Sequence, residues 1–163
     1  MRRCVGLGAA LCVAIFFTLV VLAFEFNPSA LVEPGKFETH VATTALRILV
    51  WRRANREVMP PAPADRQASV EQGDKFYGVE CADCHGLDGR TPTDAGRWMY
   101  PRAANLTSSN VQRYSDRELF WIVKNGIRLS GMPAFAGVET DEHIGNVVEY
   151  LRTLPGGDSA KSP

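Results

Sequence analysis

Neither sign of charge is in excess in this chain. Its 163 residues carry 18 lysines and arginines against 18 aspartates and glutamates, a formal net charge of zero. Without a basic excess there is no footprint for a phosphate backbone, so nucleic acid is excluded as a partner. Metal-ligating side chains are also few, with three histidines and four cysteines. Cys4 and Cys12 lie in an apolar run near the N-terminus, where they read as small apolar residues. A closed zinc site needs four nitrogen or sulfur ligands, and the remaining Cys81 and Cys84 do not supply them. Strand-like alternation is absent too, and the expected fold class is all-α. With no β-branched strand before the cysteine pair, a thioredoxin-like C-x-x-C, which needs a βαβ setting, is disfavoured. No internal repeat is present.

What the chain does have is the run Cys81-Ala82-Asp83-Cys84-His85. The form C-x-x-C-H reads as a c-type haem attachment site. Two thiols three positions apart can reach the two vinyl groups of one haem and form thioethers. The next residue is an imidazole, which is then held under the iron as the proximal ligand. The expected cofactor is one covalent haem c, and the expected chemistry is electron transfer.

The balanced charge is unevenly spread. Residues 1–64 carry seven basic and four acidic groups, whereas residues 65–155 carry ten basic and thirteen acidic. The run Cys4–Phe24 contains no charge, and about 20 apolar residues span a bilayer core. Arg2 and Arg3 precede it, so the positive-inside rule leaves the N-terminus in the cytoplasm and the rest outside. The expectation for residues 1–25 is a transmembrane anchor in a bacterial inner membrane, with the haem domain facing the periplasm. A cleaved signal peptide ending at Val21-Leu22-Ala23 is the competing reading. Against it, the apolar core exceeds the roughly 7–15 residues of a signal segment.

Residues 26–64 read as an amphipathic helix and a linker. Phe37, Val41, Ala45, Ile48 and Trp51 recur at helical spacing through Phe37–Val58, with Arg47, Arg52, Arg53 and Arg56 on a basic side. The helix suits a membrane interface, a partner subunit or a plain spacer. His40 lies in it and reads as solvated. Met59-Pro60-Pro61-Ala62-Pro63-Ala64 is a semi-rigid, proline-rich linker marking a domain boundary. The functional domain then occupies residues 65–155, and residues 156–163 form a disordered tail.

Three helices are legible in the domain. The first starts at Ser69, with Gln72 completing a capping box. The second starts at Ser115 with Glu118, carries Leu119, Phe120, Ile122 and Val123, and stops at Gly126. The third starts near Thr140, has Asp141 and Glu142 in its first turn, and buries Ile144, Val147, Val148 and Leu151. Residues 86–110 form a long loop that needs something to pack on, and a haem would serve.

These features resemble a class I c-type cytochrome over roughly residues 69–154. In that family a glycine eight residues before the first haem cysteine, and an aromatic four before it, meet the last helix at a close crossing. Gly73 and Tyr77 stand at those offsets, and Val147 and Tyr150 can be their partners. The resemblance implies a methionine as the sixth iron ligand, and Gly131-Met132-Pro133 fits its place. It thereby implies metal ligation by His85 and Met132, with Met99, His143 or an open site as alternatives. It also implies a backbone carbonyl holding the proximal imidazole, from Pro101 or, second, from Pro92. The family's second proline, before an Asn/Asp-Leu pair, is absent, since Ala103-Ala104 precede Asn105-Leu106. Trp98, Tyr100, Arg102 and Trp121 are the expected contacts for the haem rim and propionates.

The function expected is a one-electron carrier of a periplasmic chain, with a redox protein as donor and another as acceptor, and no bond-making chemistry of its own. The alternative is a fixed cytochrome subunit of a larger membrane oxidoreductase, docked through residues 25–58. A haem sensor or peroxidase-like protein would need a distal acid or base, and the residues around Met132 offer only Ser130.

Overall fold

The computed structural model describes the backbone of residues 2–25 and 27–155, and the side chains of residues 11–21, 23–24 and 27–155. The tail expected at 156–163 lies outside the described residues, as do the surroundings of Cys4. Among the described residues the chain is all-helical, without a strand. Its contacts divide it into residues 1–33 and 34–163.

The first unit contains α1 (Arg2–Glu25). Among the described residues no helix is long and apolar enough to cross a membrane. The transmembrane helix expected at residues 1–25 is therefore not found among the described residues. Beyond α1, the Asn27 side chain accepts from the Ser29 amide at 3.0 Å, giving the turn that Asn27-Pro28 signals.

The second unit holds α2 (Lys36–Ala54), α3 (Arg66–Phe76), a π-helical turn (Tyr77–Cys81), α4 (Ala82–His85), α5 (Asp94–Trp98), α6 (Ser109–Gln112), α7 (Asp116–Asn125) and α8 (Asp141–Leu151). Their ends follow local chemistry. Ser115 and Glu118 form a reciprocal capping box on α7. Thr140 caps α8 by accepting from the His143 amide, with Asp141 and Glu142 at the positive end of the helix. Gly126 ends α7 at φ +65°, a conformation that costs glycine little.

The first domain helix departs from expectation. Asp65, accepting from the Ala68 amide, is its cap, and α3 starts three residues before Ser69. Ser69 and Gln72 face the last helix instead. Ser69 Oγ donates to Asn146 Oδ1 at 2.5 Å, and Asn146 Nδ2 donates to Gln72 Oε1 at 2.9 Å. The residues that look like a cap thus supply the polar part of the α3–α8 crossing.

At that crossing the two backbones come close. A Cβ added to Gly73 would stand 2.1 Å from the Asn146 carbonyl oxygen and 2.9 Å from Tyr150 Cβ. The Tyr77 and Tyr150 rings lie 5.1 Å apart between centroids, and Val147 is buried against Tyr77. Beside this pair, Leu119, Phe120, Val123, Phe135, Ile144 and Val148 form the main apolar core. Each such side chain contributes about 1.5–3 kcal/mol on burial.

Residues 36–64 lie on the domain rather than apart from it. α2 packs on α7, and its Val50 and Ala54 are buried. Its apolar stripe stays outside: Phe37, Val41, Ile48 and Trp51 are all exposed. The proline-rich stretch lies along the domain surface, with Met59 against the main core and Pro60 beside Gly145.

Candidate functional site

The π-helical turn ends at Cys81, and α4 carries Ala82 to His85. Such turns add a residue to a helix and re-aim the side chains beyond it. Here the turn delivers Cys81 and His85 into a cleft of about 610 Å³, within the usual range for cofactor sites, about 300–1,000 Å³. Cys84 is half-buried, and both motif cysteines are free thiols. Burial pushes the Cys81 thiol up to about 12, with Glu80 and Cys84 adding to the effect. Cys81 is therefore held as thiol, not thiolate, at neutral pH.

His85 Nδ1 lies 2.9 Å from the carbonyl oxygen of Ala104. A carbonyl only accepts, so Nδ1 is the protonated nitrogen and Nε2 keeps a free lone pair. Burial lowers the affinity of the ring for a second proton, and the Ala104 carbonyl offsets this in part. A neutral, oriented imidazole is the form that binds metal.

The carbonyl thus comes from Ala104, not from Pro101 or Pro92. Pro101 is exposed, and the Pro92 carbonyl accepts from Arg97 Nε instead. The next residue explains the choice. Asn105 Oδ1 accepts from both the amide and the hydroxyl of Thr107, which is fully buried, and so fixes the turn that presents Ala104. On the other side, Tyr77 donates its phenolic proton to the Gly86 carbonyl at 2.7 Å, anchoring the loop where it leaves the motif.

Met132 lines the same cleft as Cys81 and His85. Its loop is shaped by Gly126, which lies against the Pro133 backbone, and by Ser130, whose Oγ donates to the Ile127 carbonyl and accepts from the Met132 amide. Met99 does not line the cleft. Its thioether packs on Gly131. His143 is exposed and pairs with Glu139 at 2.9 Å.

The rim residues differ from those expected. Trp98, Arg102 and Trp121 are not among the cleft-lining residues, and Trp98 is 75% exposed. Tyr100 donates to Glu38 Oε1 on α2. The polar lining includes Arg47, Arg113 and His40 instead, and the apolar lining includes Leu119, Ile122, Val123 and Ile127. Nothing in the spacing of residues 104 or 113 announced their place, because one acts through its backbone and the other sits in a short helix-end turn.

The residues present fit a covalently held haem: two thiols and an adjacent imidazole, a thioether in the same cleft, apolar walls and two guanidinium groups. Residues 68–151 match the family model described as cytochrome c oxidase, cbb3-type, subunit III. The chain belongs to this family. Its domain is a c-type cytochrome domain, which implies covalent haem c and an electron-transfer role. The chain is also 30% identical, over 92 residues, to the quinohemoprotein alcohol dehydrogenase ADH-IIG of Pseudomonas putida. The match takes in 56% of this chain and 11% of that relative's length. A solved structure of the reducing HAO-like protein complex of Kuenenia stuttgartiensis aligns with a TM-score of 0.42 and 19% identity, covering 63% of this chain and 54% of that one.

Proposed function

We propose that this protein is a membrane-tethered, monohaem cytochrome c that passes single electrons between redox proteins in a bacterial periplasm. The observation that carries the reading is the joint placement of His85, held by Ala104, and Met132 on one apolar cleft. When bound, the haem supplies a one-electron Fe(III)/Fe(II) couple, whose potential a methionine ligand raises. Cys81 and Cys84 would hold it as thioethers. His85 would offer Nε2 to the iron, and Met132 its thioether. Leu119, Ile122, Val123 and Ile127 keep water from the cleft, so little rearranges when charge changes. Val79 and Leu87, 71% and 80% exposed, flank the motif and suit transient docking of a donor or acceptor there.

The uncharged run Cys4–Phe24 behind Arg2 and Arg3 supports the tether, and a tether raises effective concentration near membrane partners. Its test is alkaline extraction of membranes together with the N-terminal sequence of the mature protein. A protein released by alkali, or one starting after Ala23, contradicts the anchor. The haem reading is tested on a denaturing gel of protein from a host competent in cytochrome c maturation. Haem should stay with the chain, and Cys81→Ala with Cys84→Ala should release it. Loss of haem from the wild type on denaturation contradicts covalent attachment.

A second reading, a fixed subunit of a membrane oxidoreductase, draws on the outward face of α2, where Phe37 is 82% exposed and Trp51 58%. Stoichiometric copurification with membrane subunits separates it from a free carrier.

A further inference from the structure

The cleft has a wall that the family match leaves out. The matched region starts at residue 68, yet His40, Thr43, Thr44 and Arg47 of α2 line the cleft. Thr43, Arg47, Val50 and Ala54 form one stripe along the helix. In its second half the stripe is buried against the domain, and in its first half it turns polar and faces the cleft. Contacts near both ends hold the wall in place. Tyr100 donates to Glu38 at 3.0 Å, and Glu57, just past the helix, accepts from Arg117 at its carbonyl and from Lys124 at its carboxylate.

Arg47 is half-buried. Its Nη2 donates to the Asn110 carbonyl at 3.0 Å, and its guanidinium lies 4.8 Å from the centre of the Tyr114 ring. Arg113, on the same lining, donates to Asn110 Oδ1 at 2.5 Å. Two guanidinium groups thus converge on Asn110. Among the described residues neither has a carboxylate within ion-pair distance. Arg113 is exposed and Arg47 half-buried, so solvent screens part of their repulsion, and an anion placed between them would relieve the rest. A haem carries two carboxylates on its propionate arms, and guanidinium groups pair well with carboxylates.

We propose that Arg47 and Arg113 hold the haem propionates, which makes α2 part of the cofactor site. The inference rests on the haem reading. It has an electrical consequence. Ferric haem carries one more positive charge than ferrous haem, so a fixed cation nearby favours reduction and raises the potential.

The test is the midpoint potential of matured full-length protein, measured by spectroelectrochemistry beside its thermal unfolding. Arg47→Gln and Arg113→Gln should each shift the potential downward, and Arg47→Lys should restore most of the loss by returning the charge. Arg53→Gln, on an exposed part of α2, should leave it unmoved. Should Arg47→Gln fail to fold, Arg113→Gln carries the same test. Glutamine variants that hold haem and melt like the wild type, yet keep its potential, overturn the proposal alone. So does an equal shift from Arg53→Gln. A wild type without covalent haem overturns the haem reading itself.

Discussion

Gly73 sits where α3 leaves no room for a side chain against α8. Its missing side chain lets the Asn146 carbonyl approach to where a Cβ would be 2.1 Å away. Gly73→Ala should cost about 3 kcal/mol or more, since the obstacle is backbone that cannot swing aside. Gly78→Ala, where an added Cβ meets nothing within 4 Å, should be near neutral; urea unfolding of the two holoproteins checks the contrast. Tyr77 gives a pH test. Burial, aided by Cys81, Tyr150 and Asp88, holds its phenol protonated well above the ordinary 10.0. Above pH 10 the unfolded chain releases that proton and the folded chain keeps it, so the unfolded state binds fewer protons. The stabilisation is complete below pH 10 and falls away as pH rises above it. Tyr77→Phe should flatten this slope, leaving the part due to Tyr150, whose phenol burial also raises. At neutral pH it should cost about 1 kcal/mol for the lost bond to Gly86. Both residues were legible as a pair, because a glycine and an aromatic stand at fixed offsets from Cys81. The Ala104 carbonyl was not legible, because every residue has one and only the Asn105 turn selects this one.

At the scale of elements, the caps of α7 and α8 were legible because their signal is local: a Ser-x-x-Glu and a threonine before two acids. The start of α3 was not. Ser69 and Gln72 have the spacing of a capping box, but Asn146 on α8 takes their polar atoms, and Asp65 does the capping. Asp65→Ala should therefore cost about 1 kcal/mol in chemical denaturation, as loss of an N-cap does. Ser69→Ala should also destabilise, but through the crossing: its effect should largely vanish in an Asn146→Ala background, while that of Asp65→Ala should persist. The docking of α2 on the domain was not legible either. The apolar stripe through Phe37, Val41 and Ile48 is the stronger pattern, yet the helix packs by its other side. The polar residues there made sense only once the cleft they line was in view.

For the molecule as a whole, the all-helical class and the haem-attachment motif could be read from the sequence, the motif because Cys81, Cys84 and His85 fall within five residues. The composition of the cleft could not, since it draws on segments from residue 40 to residue 151. An electron carrier needs both axial positions filled in both oxidation states. Reduced-minus-oxidised absorption spectra of the purified protein, taken with and without carbon monoxide, read that occupancy. A sharp c-type spectrum that the gas leaves unchanged, together with a Met132→Ala variant that binds it, is the result predicted. A wild-type spectrum that carbon monoxide shifts would contradict ligation by His85 and Met132 and favour a sensor or enzyme with an open iron.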